Sequence, residues 1–382
     1  MIKRILQQVI ENKINKGKAI ILLGPRQTGK TTLLKIIAEK HKPYLFLDGD
    51  DPTVRNILNT PNTGQLRNLI GNHKMVFIDE AQRINNIGIT LKIITDQLKG
   101  IQLLVSGSSA LEINHTMNEP LTGRKWEYLL YPISWQELEN NIGYLSAIQI
   151  LEQRLLFGMY PDVINNNGEE KEILKHLLSS YLYKDVLEYG GIKKPEIIDN
   201  LLQALAFQVG NEVSYNELSQ LLNIDRKTVG TYIDLLEKAF IVFKLHSFSR
   251  NLRNEIKTNK KVYFYDNGVR NMLIGNFQPI SQRFDKGAIW ENFLISERKK
   301  HIEYSQSYAK MYFWRTAQQQ EIDYIEEKDG IIKGYEFKWE AIRKVKIPKL
   351  FIQSYNADVF VIDKNNFIKF IGFKDTSNKM KI

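Results

Sequence analysis

The sequence predicts an α/β protein: a parallel-sheet domain first, a helical middle, and a smaller α/β domain at the end. Three observations carry that expectation. The segment Gly24-Pro25-Arg26-Gln27-Thr28-Gly29-Lys30-Thr31 stands between an apolar run, Ala19–Leu23, and an amphipathic helical pattern, Thr32–Lys40. A second apolar run, Met75–Ile78, ends in the paired carboxylates Asp79 and Glu80. At 382 residues the chain is too long for a single ordinary core. The expected divisions are 1–135, 136–250 and 251–382.

Composition narrows the classes. There is no cysteine, which excludes disulfide scaffolds, thiolate metal sites and cysteine nucleophiles. Apolar residues make up 43%, ample for packed cores. No stretch is long and apolar enough to span a bilayer, so a cytoplasmic protein without a membrane partner is expected. The net charge of +10 makes nucleic acid the first polyanion to consider, although the lysines are spread along the chain.

The first segment fits G-x-x-x-x-G-K-[ST] at every fixed position, in the strand–loop–helix context that the pattern needs. Gly24 and Gly29 permit backbone conformations that a Cβ would block. The loop then turns its N–H groups inward, and the following helix N-terminus adds positive potential. Lys30 is expected on the β- and γ-phosphates of ATP and Thr31 on Mg²⁺; the binding set runs from Gly24 to Thr32. A short strand, Tyr44–Asp48, and two short helices precede Lys74–Glu80. That run resembles a Walker B element. The resemblance implies that Asp79 holds the Mg²⁺ shell and Glu80 polarises the attacking water. A carboxylate directly after the metal-binding Asp marks the additional-strand class of P-loop ATPases, which includes AAA proteins.

The next strand, Gln102–Val105, ends in Ser106-Gly107-Ser108-Ser109. Ligands collect at the carboxyl ends of such strands, so Ser106 or Ser108 would sense the γ-phosphate or water. The alternative is a helix cap at Ser108 or Ser109. Arg124, on a Gly-containing loop, is a candidate for transition-state charge in cis or across a self-association contact, set against an ordinary surface arginine. Arg83 is a weaker candidate of the same kind.

From Ser134 the pattern is helical. Ser214 with Glu217 reads as a capping box, Asp225 caps a helix Arg226–Lys238, and Phe240–Leu245 alternates as a wing strand. This is a helix-turn-helix or winged-helix pattern. Arg226, Lys227, Thr228, Thr231 and Tyr232 would face DNA, while Asp234 and Glu237 on the same helix would oppose phosphates. A protein-contact role for this element is the alternative.

The last part reads as a strand and turn at Lys261–Gly268, a helix Gly287–Lys300, three strands, a helix and a strand. Asp329-Gly330 between two alternating runs is a hairpin signal. Glu291 on the helix, Asp323, Glu336 and Lys338 on the strands look like a PD-(D/E)xK restriction-endonuclease core. The resemblance implies a second Mg²⁺ or Mn²⁺ held by Asp323 and Glu336, with Glu291 and Lys338 beside it. The alternative is a hairpin with a cross-strand ion pair.

Taken together, these stretches resemble prokaryotic AAA-type P-loop ATPases with a C-terminal domain of unknown function 4143. The stretches that carry it are Leu23–Thr32, Val76–Gln82, Ser106–Ser109, Leu121–Arg124, Tyr131-Pro132, Lys261–Gly268, Gly287–Asn292, Glu321–Asp323 and Glu336–Lys338. The resemblance implies ATP binding, hydrolysis and a nuclease-like tail. The expected function is an ATPase coupling nucleotide state to a DNA-associated module. The alternatives are a nucleotide-gated switch recruiting a protein partner with little turnover, or a metal-dependent nuclease licensed by ATP.

Overall fold

Five short apolar runs of the N-terminal part lie side by side as a parallel sheet in the computed structural model. They are β1 (Ala19–Leu23), β2 (Tyr44–Asp48), β3 (Met75–Asp79), β4 (Gln102–Gly107) and β5 (Lys125–Leu129), in the spatial order β2-β3-β4-β1-β5. Every residue of β1, β3 and β4 is buried. Successive side chains on a strand point to opposite faces, so both faces of the sheet centre are covered, as parallel sheets require. β4 separates the strand that enters the phosphate loop from the strand that ends in Asp79. That insertion is the additional strand expected from the Asp79-Glu80 pair.

The structure describes residues 1–108, 121–179, 186, 194–249, 260–341 and 345–372. They form two compact units, one built on Met1–Pro132 and one on the chain from Ile133 onward. The candidate cap Ser109 lies outside the described residues.

The second unit begins at a reciprocal capping box, Ser134 with Glu137. Helices follow, among them Leu151–Phe157 and Pro195–Phe207. A short strand β6 (Glu212–Val213) then leads to helices Tyr215–Leu222 and Arg226–Lys238 and to strand β7 (Val242–Ser247). Next come β8 (Lys260–Phe264), a long helix Lys286–Tyr304, β9 (Lys310–Arg315), β10 (Glu321–Lys328), β11 (Ile331–Phe337), helix Lys349–Tyr355 and β12 (Asp358–Ile362). All seven strands of this unit join one sheet, ordered β12-β11-β10-β9-β7-β8-β6. The division expected at 250/251 therefore falls inside a sheet. β7, before it, pairs antiparallel with β8 and parallel with β9, both after it. The β10–β11 hairpin turns through Asp329 (φ 52°) and Gly330 (φ 78°), the pair of positive φ angles that a two-residue I′ turn needs.

The expected strand and turn at Lys261–Gly268 resolves differently. β8 stops at Phe264 and Asp266 caps a helix, Asn267–Leu273. One oxygen of Asp266 accepts from the amides of Gly268 (2.8 Å) and Val269 (3.2 Å). The other accepts from the Met159 amide at 2.6 Å. The fit leaves no room at Gly158, where φ is +77° and a Cβ would lie 1.9 Å from the carboxylate. Burial pushes the Asp266 carboxyl up, with those amides and Lys300 opposing. Nearby, Arg283 grips Asp285 with two hydrogen bonds of 2.8 Å, and Arg270 reaches the same carboxylate. Burial alone would raise Asp285, but the two guanidiniums hold it down at about 2.

Two predictions follow from these carboxylates. Asp266→Ala strands three backbone amides and is expected to cost about 3 kcal/mol in urea unfolding, whereas a substitution at exposed Lys328 costs under about 0.5. Asp285 sits below its ordinary value of 3.8, so its stabilisation is full above that value and is lost as pH falls toward 2. Asp285→Asn should lower stability at pH 7 by about 1–2 kcal/mol and flatten the acid limb of a Tm-against-pH curve.

Candidate nucleotide site and the C-terminal carboxylate cluster

The phosphate loop leaves β1 at Gly24, which has φ +145°. A Cβ there would stand 2.1 Å from the Leu130 carbonyl oxygen, so only glycine lets the end of β5 pass this close. Gly29 takes φ +90° and begins the helix Lys30–Glu39. The ammonium of Lys30 curls over the loop and donates to the carbonyls of Gly24 (2.9 Å) and Pro25 (2.7 Å). The Thr28 hydroxyl donates to Pro25 O at 2.8 Å. Buried Arg4 braces the loop from outside, donating to Thr28 O (2.7 Å) and Tyr131 O (2.6 Å). Its sequence signal is weak: a lone arginine in a short amphipathic segment.

Three chain segments meet at Asp79. The Thr31 hydroxyl donates to its carboxylate at 3.0 Å, across 48 residues of sequence. The Ser106 hydroxyl, at the end of β4, donates to the same oxygen. The register that aligns Ile78 with Val105 and Leu22 with Ser106 sets these ends level. A hydroxyl and a carboxylate at the mouth of a phosphate-type loop are hard oxygen donors, the set Mg²⁺ takes alongside waters and phosphates. The residues present therefore fit that ion.

Glu80 follows with φ 46°, a left-handed conformation uncommon outside glycine and asparagine. The turn carries its carboxylate away from Asp79's strand direction and toward Gln82, whose amide donates to it. The same amide nitrogen reaches Ser108 Oγ at 2.9 Å. Gln82 thus links Glu80 to the end of β4, a role that lay unassigned in the motif Val76–Gln82. Ser106 and Ser108 hence divide the work considered for them: the first touches Asp79, the second Gln82.

Arg124 lies elsewhere. It immediately precedes Lys125, which pairs with Ala19 at the start of β1. The phosphate loop leaves the other end of that strand, four residues or about 13 Å along. Its guanidinium is held by Asp96 at 2.7 Å and by Thr122 O at 3.2 Å. In cis it does not serve this site. Arg83, by contrast, stays on the ligand side and faces Asp50 at 3.6 Å.

In the second unit the fold brings Glu291, Asp323, Glu336 and Lys338 into one neighbourhood, with Lys261, Tyr263 and Glu321, to which the sequence assigned no role. Lys261 of β8 sits 2.5 Å from Glu321 and 3.3 Å from Glu291. The Tyr263 hydroxyl donates to Glu291 at 2.5 Å. Lys338 reaches Glu336 at 3.1 Å and Asp323 at 3.8 Å, and the Phe337 amide donates to Asp323 at 2.8 Å. Burial pushes Glu291 up to about 7 against the pull of Lys261. Burial also pushes Glu336 up to about 7, with Asp323 adding to it and Lys338 opposing. Among the described residues no group of three or more His, Asp or Glu side chains is placed to hold a metal ion. The second metal expected at Asp323 and Glu336 finds no support in this arrangement, where Lys338 contacts one oxygen of each carboxylate and the Phe337 amide shares the Asp323 oxygen.

On the helix Arg226–Lys238, the two acids expected to oppose phosphates share one cation, which offsets half of their charge. Lys244 of β7 pairs with Asp234 at 2.5 Å and with Glu237 at 2.7 Å. Arg226, Lys227 and Thr231 remain exposed on its leading turns, while Thr228 is turned back onto the capping Asp225.

A family described as "AAA domain" matches residues 16–139, a domain of unknown function (DUF8612) matches 148–279, and a domain of unknown function (DUF4143) matches 286–372. An uncharacterized protein of Mycobacterium tuberculosis is 25% identical over 333 residues, spanning 86% of this chain and 72% of its own. Another from Methanocaldococcus jannaschii is 25% identical over 418 aligned residues, spanning 97% and 90%. In fold, the chain is similar to the Walker-type ATPase PABY2304 of Pyrococcus abyssi, with a TM-score of 0.52 and 16% identity over 72% of this chain and 96% of that one. Among the described residues no helix is long and apolar enough to cross a membrane. The chain thus carries an AAA-type P-loop domain over residues 16–139 and a domain of unknown function 4143 over residues 286–372.

Proposed function

We propose that the chain is an Mg²⁺-dependent ATP hydrolase that couples its nucleotide state to the second unit, with DNA as that unit's partner. The convergence of Thr31, Asp79 and Ser106, with Glu80 one residue on, is the observation that carries the reading. Mg²⁺, when bound, would offset the charge that develops on the phosphates. Thr31 Oγ1 and an Asp79 oxygen would hold it from the protein side. Lys30 exchanges the carbonyls of Gly24 and Pro25 for phosphate oxygens, which neutralise an ammonium better than carbonyls do. Glu80 orients the attacking water and takes its proton, and Gln82 with Ser108 fixes where that carboxylate points.

Two features support the second unit as a DNA module. Its elements Pro195–Phe207, β6, Tyr215–Leu222, Arg226–Lys238, β7 and β8 run in the order of a winged helix, with β6 paired to β8. Lys244 offsets part of the acidic charge on Arg226–Lys238, and the exposed Arg226 and Lys227 stand on its leading turn.

Lys30→Ala is expected to abolish ATP binding in a fluorescent-nucleotide titration. Glu80→Gln keeps its hydrogen bond to Gln82, should still bind ATP, and should slow turnover by about 10²–10³-fold. Phosphate release is measured with and without duplex or single-stranded DNA. Stable ATP occupancy with no Mg²⁺-dependent turnover under either condition rejects the hydrolase in favour of a nucleotide-gated switch.

A further inference from the structure

The two ends of the first unit's sheet carry opposite charge. Where the strands finish, on the side of the phosphate loop, the chain places Asp48, Asp50, Asp51, Asp79 and Glu80. Where they begin, the segments entering β1 to β5 (12–18, 40–43, 71–74, 98–101 and 121–124) contain no Asp or Glu. Parallel pairing sets Met75 beside both Tyr44 and Gln102, and Ala19 beside Lys125, so these segments lie level and side by side. Four of them line a groove of about 840 Å³, with Asn15, Lys18, Lys42, Lys74 and Gly100 among its walls. The groove is tied across strands: buried Gln102 accepts from the Asn15 amide at 2.7 Å and donates to Lys18 O at 3.1 Å. Acids on the neighbouring elements do not cancel the positive charge. Glu11 pairs with Lys40, Glu39 with Lys42, Glu127 with Lys125, and Asp96, which Lys99 also attracts, with Arg124. Among the described residues Lys13, Lys16, Lys18, Lys74 and Lys99 have no carboxylate within 4 Å. Lys13 and Lys18 instead cover the Trp126 ring, 4.3 and 4.4 Å from its centroid. Lys16, Lys74 and Lys99 are exposed.

We infer that this end of the first unit binds duplex DNA through the phosphates of its backbone. Neighbouring strands lie about 4.8 Å apart, so the row of loops is about 19 Å long. One strand of a duplex carries a negative charge for about every 3.4 Å of helix axis, so several phosphates face the row at once. Charge of one sign, repeated at short intervals, suits that polymer whatever its sequence. A membrane surface would call for large apolar side chains beside the lysines, and none of those exposed on the described surface belongs to these loops. A single strand is held by stacking its bases on aromatic faces as well, and the Trp126 ring at this end is already covered by lysines. The residues differ from those proposed to meet DNA in the second unit, so the two contacts are separable by mutation.

The test is fluorescence anisotropy of a labelled, mixed-sequence duplex titrated with the full chain, at about 50 to 200 mM salt. Lys16→Gln/Lys74→Gln/Lys99→Gln removes exposed cations from three of the loops. It should weaken binding by about tenfold or more and lower the slope of log Kd against log salt by about 2–3. ATP binding and Tm should stay as they are in the unmodified chain, because the phosphate loop lies at the other end of the sheet. Lys175→Gln/Lys328→Gln/Lys369→Gln removes the same charge from exposed positions of the second unit and should change Kd by less than about twofold. Arg226→Ala/Lys227→Ala, measured alongside, reads the second unit's contact by itself. No duplex binding at about 50 mM salt overturns the inference, and so do equal losses in the two lysine triples. A loop triple that leaves Kd and slope unchanged overturns it as well; a loss with Arg226→Ala/Lys227→Ala in that case keeps the second unit's DNA role standing. Loop-dependent binding that favours single-stranded over duplex DNA also counts against it. Should the loop triple fold poorly, Lys74→Gln alone should lower the slope by about 1.

Discussion

One carboxylate ties the first unit together. Asp79 accepts hydrogen bonds from Thr31, at the start of the helix behind the phosphate loop, and from Ser106, at the end of the inserted strand. Those contacts exist only if β1, β3 and β4 are parallel, level and adjacent in the order observed. The wholly buried strands supply that alignment: shifting one by a single residue would send its apolar side chains to the wrong face and lift its terminal polar residue out of reach. The hydrophobic sheet and the chemistry at its edge are therefore one design. The same condition explains Gly24, whose missing Cβ lets the β5 end lie against the loop.

The second unit solves a different problem. Its sheet is assembled from two sequence regions, the short strands among the middle helices and the hairpin series near the end. Buried polar groups sit where those regions meet. Asp266 joins the end of β8 to the turn at Met159, and Lys261 joins β8 to the carboxylates of Glu291 and Glu321. Groups of this kind contribute little net stability when complete and cost several kcal/mol when one partner is removed. They specify which strand lies beside which, a task for which apolar contacts are too permissive. The aromatic cluster of Trp135, Trp290, Phe293 and Phe367 then fills the space between helices.

Two kinds of arginine and lysine emerge. Some are motif residues facing ligand space, such as Lys30. Others are interior struts: Arg4 under the phosphate loop, Arg283 and Arg270 on Asp285, and Lys261 in the cluster. Arg124, which a motif reading places among the first kind, makes a half-exposed surface ion pair instead. It pairs with Asp96 at the end of the sheet away from the loop. A basic composition thus divides between structure and recognition, and net charge alone overstates what is left for a polyanion.

Local sequence was enough for the phosphate loop, the acidic strand and the I′ hairpin. In each, a few neighbouring residues fix the backbone: glycines with positive φ, an apolar run with a period, an Asp-Gly pair. It was also enough to order the elements of the last part. What lay beyond it were relations between distant residues. Nothing in the sequence near Gln82 says that its amide spans Glu80 and Ser108, because that depends on β4 lying beside β3. Nothing near Arg124 tells which end of β5 it occupies relative to the loop, because a parallel pairing puts like ends together and an antiparallel one does not. The C-terminal acids were visible as residues but not as a charge balance. Lys261 is 62 residues from Asp323 along the chain, and only the pairing of β7 with both β8 and β9 carries it into their midst. Sequence determined which chemistry was present; the sheet pairings decided which groups could meet, since electrostatics and hydrogen bonding act over a few ångströms in space and take no account of separation along the chain.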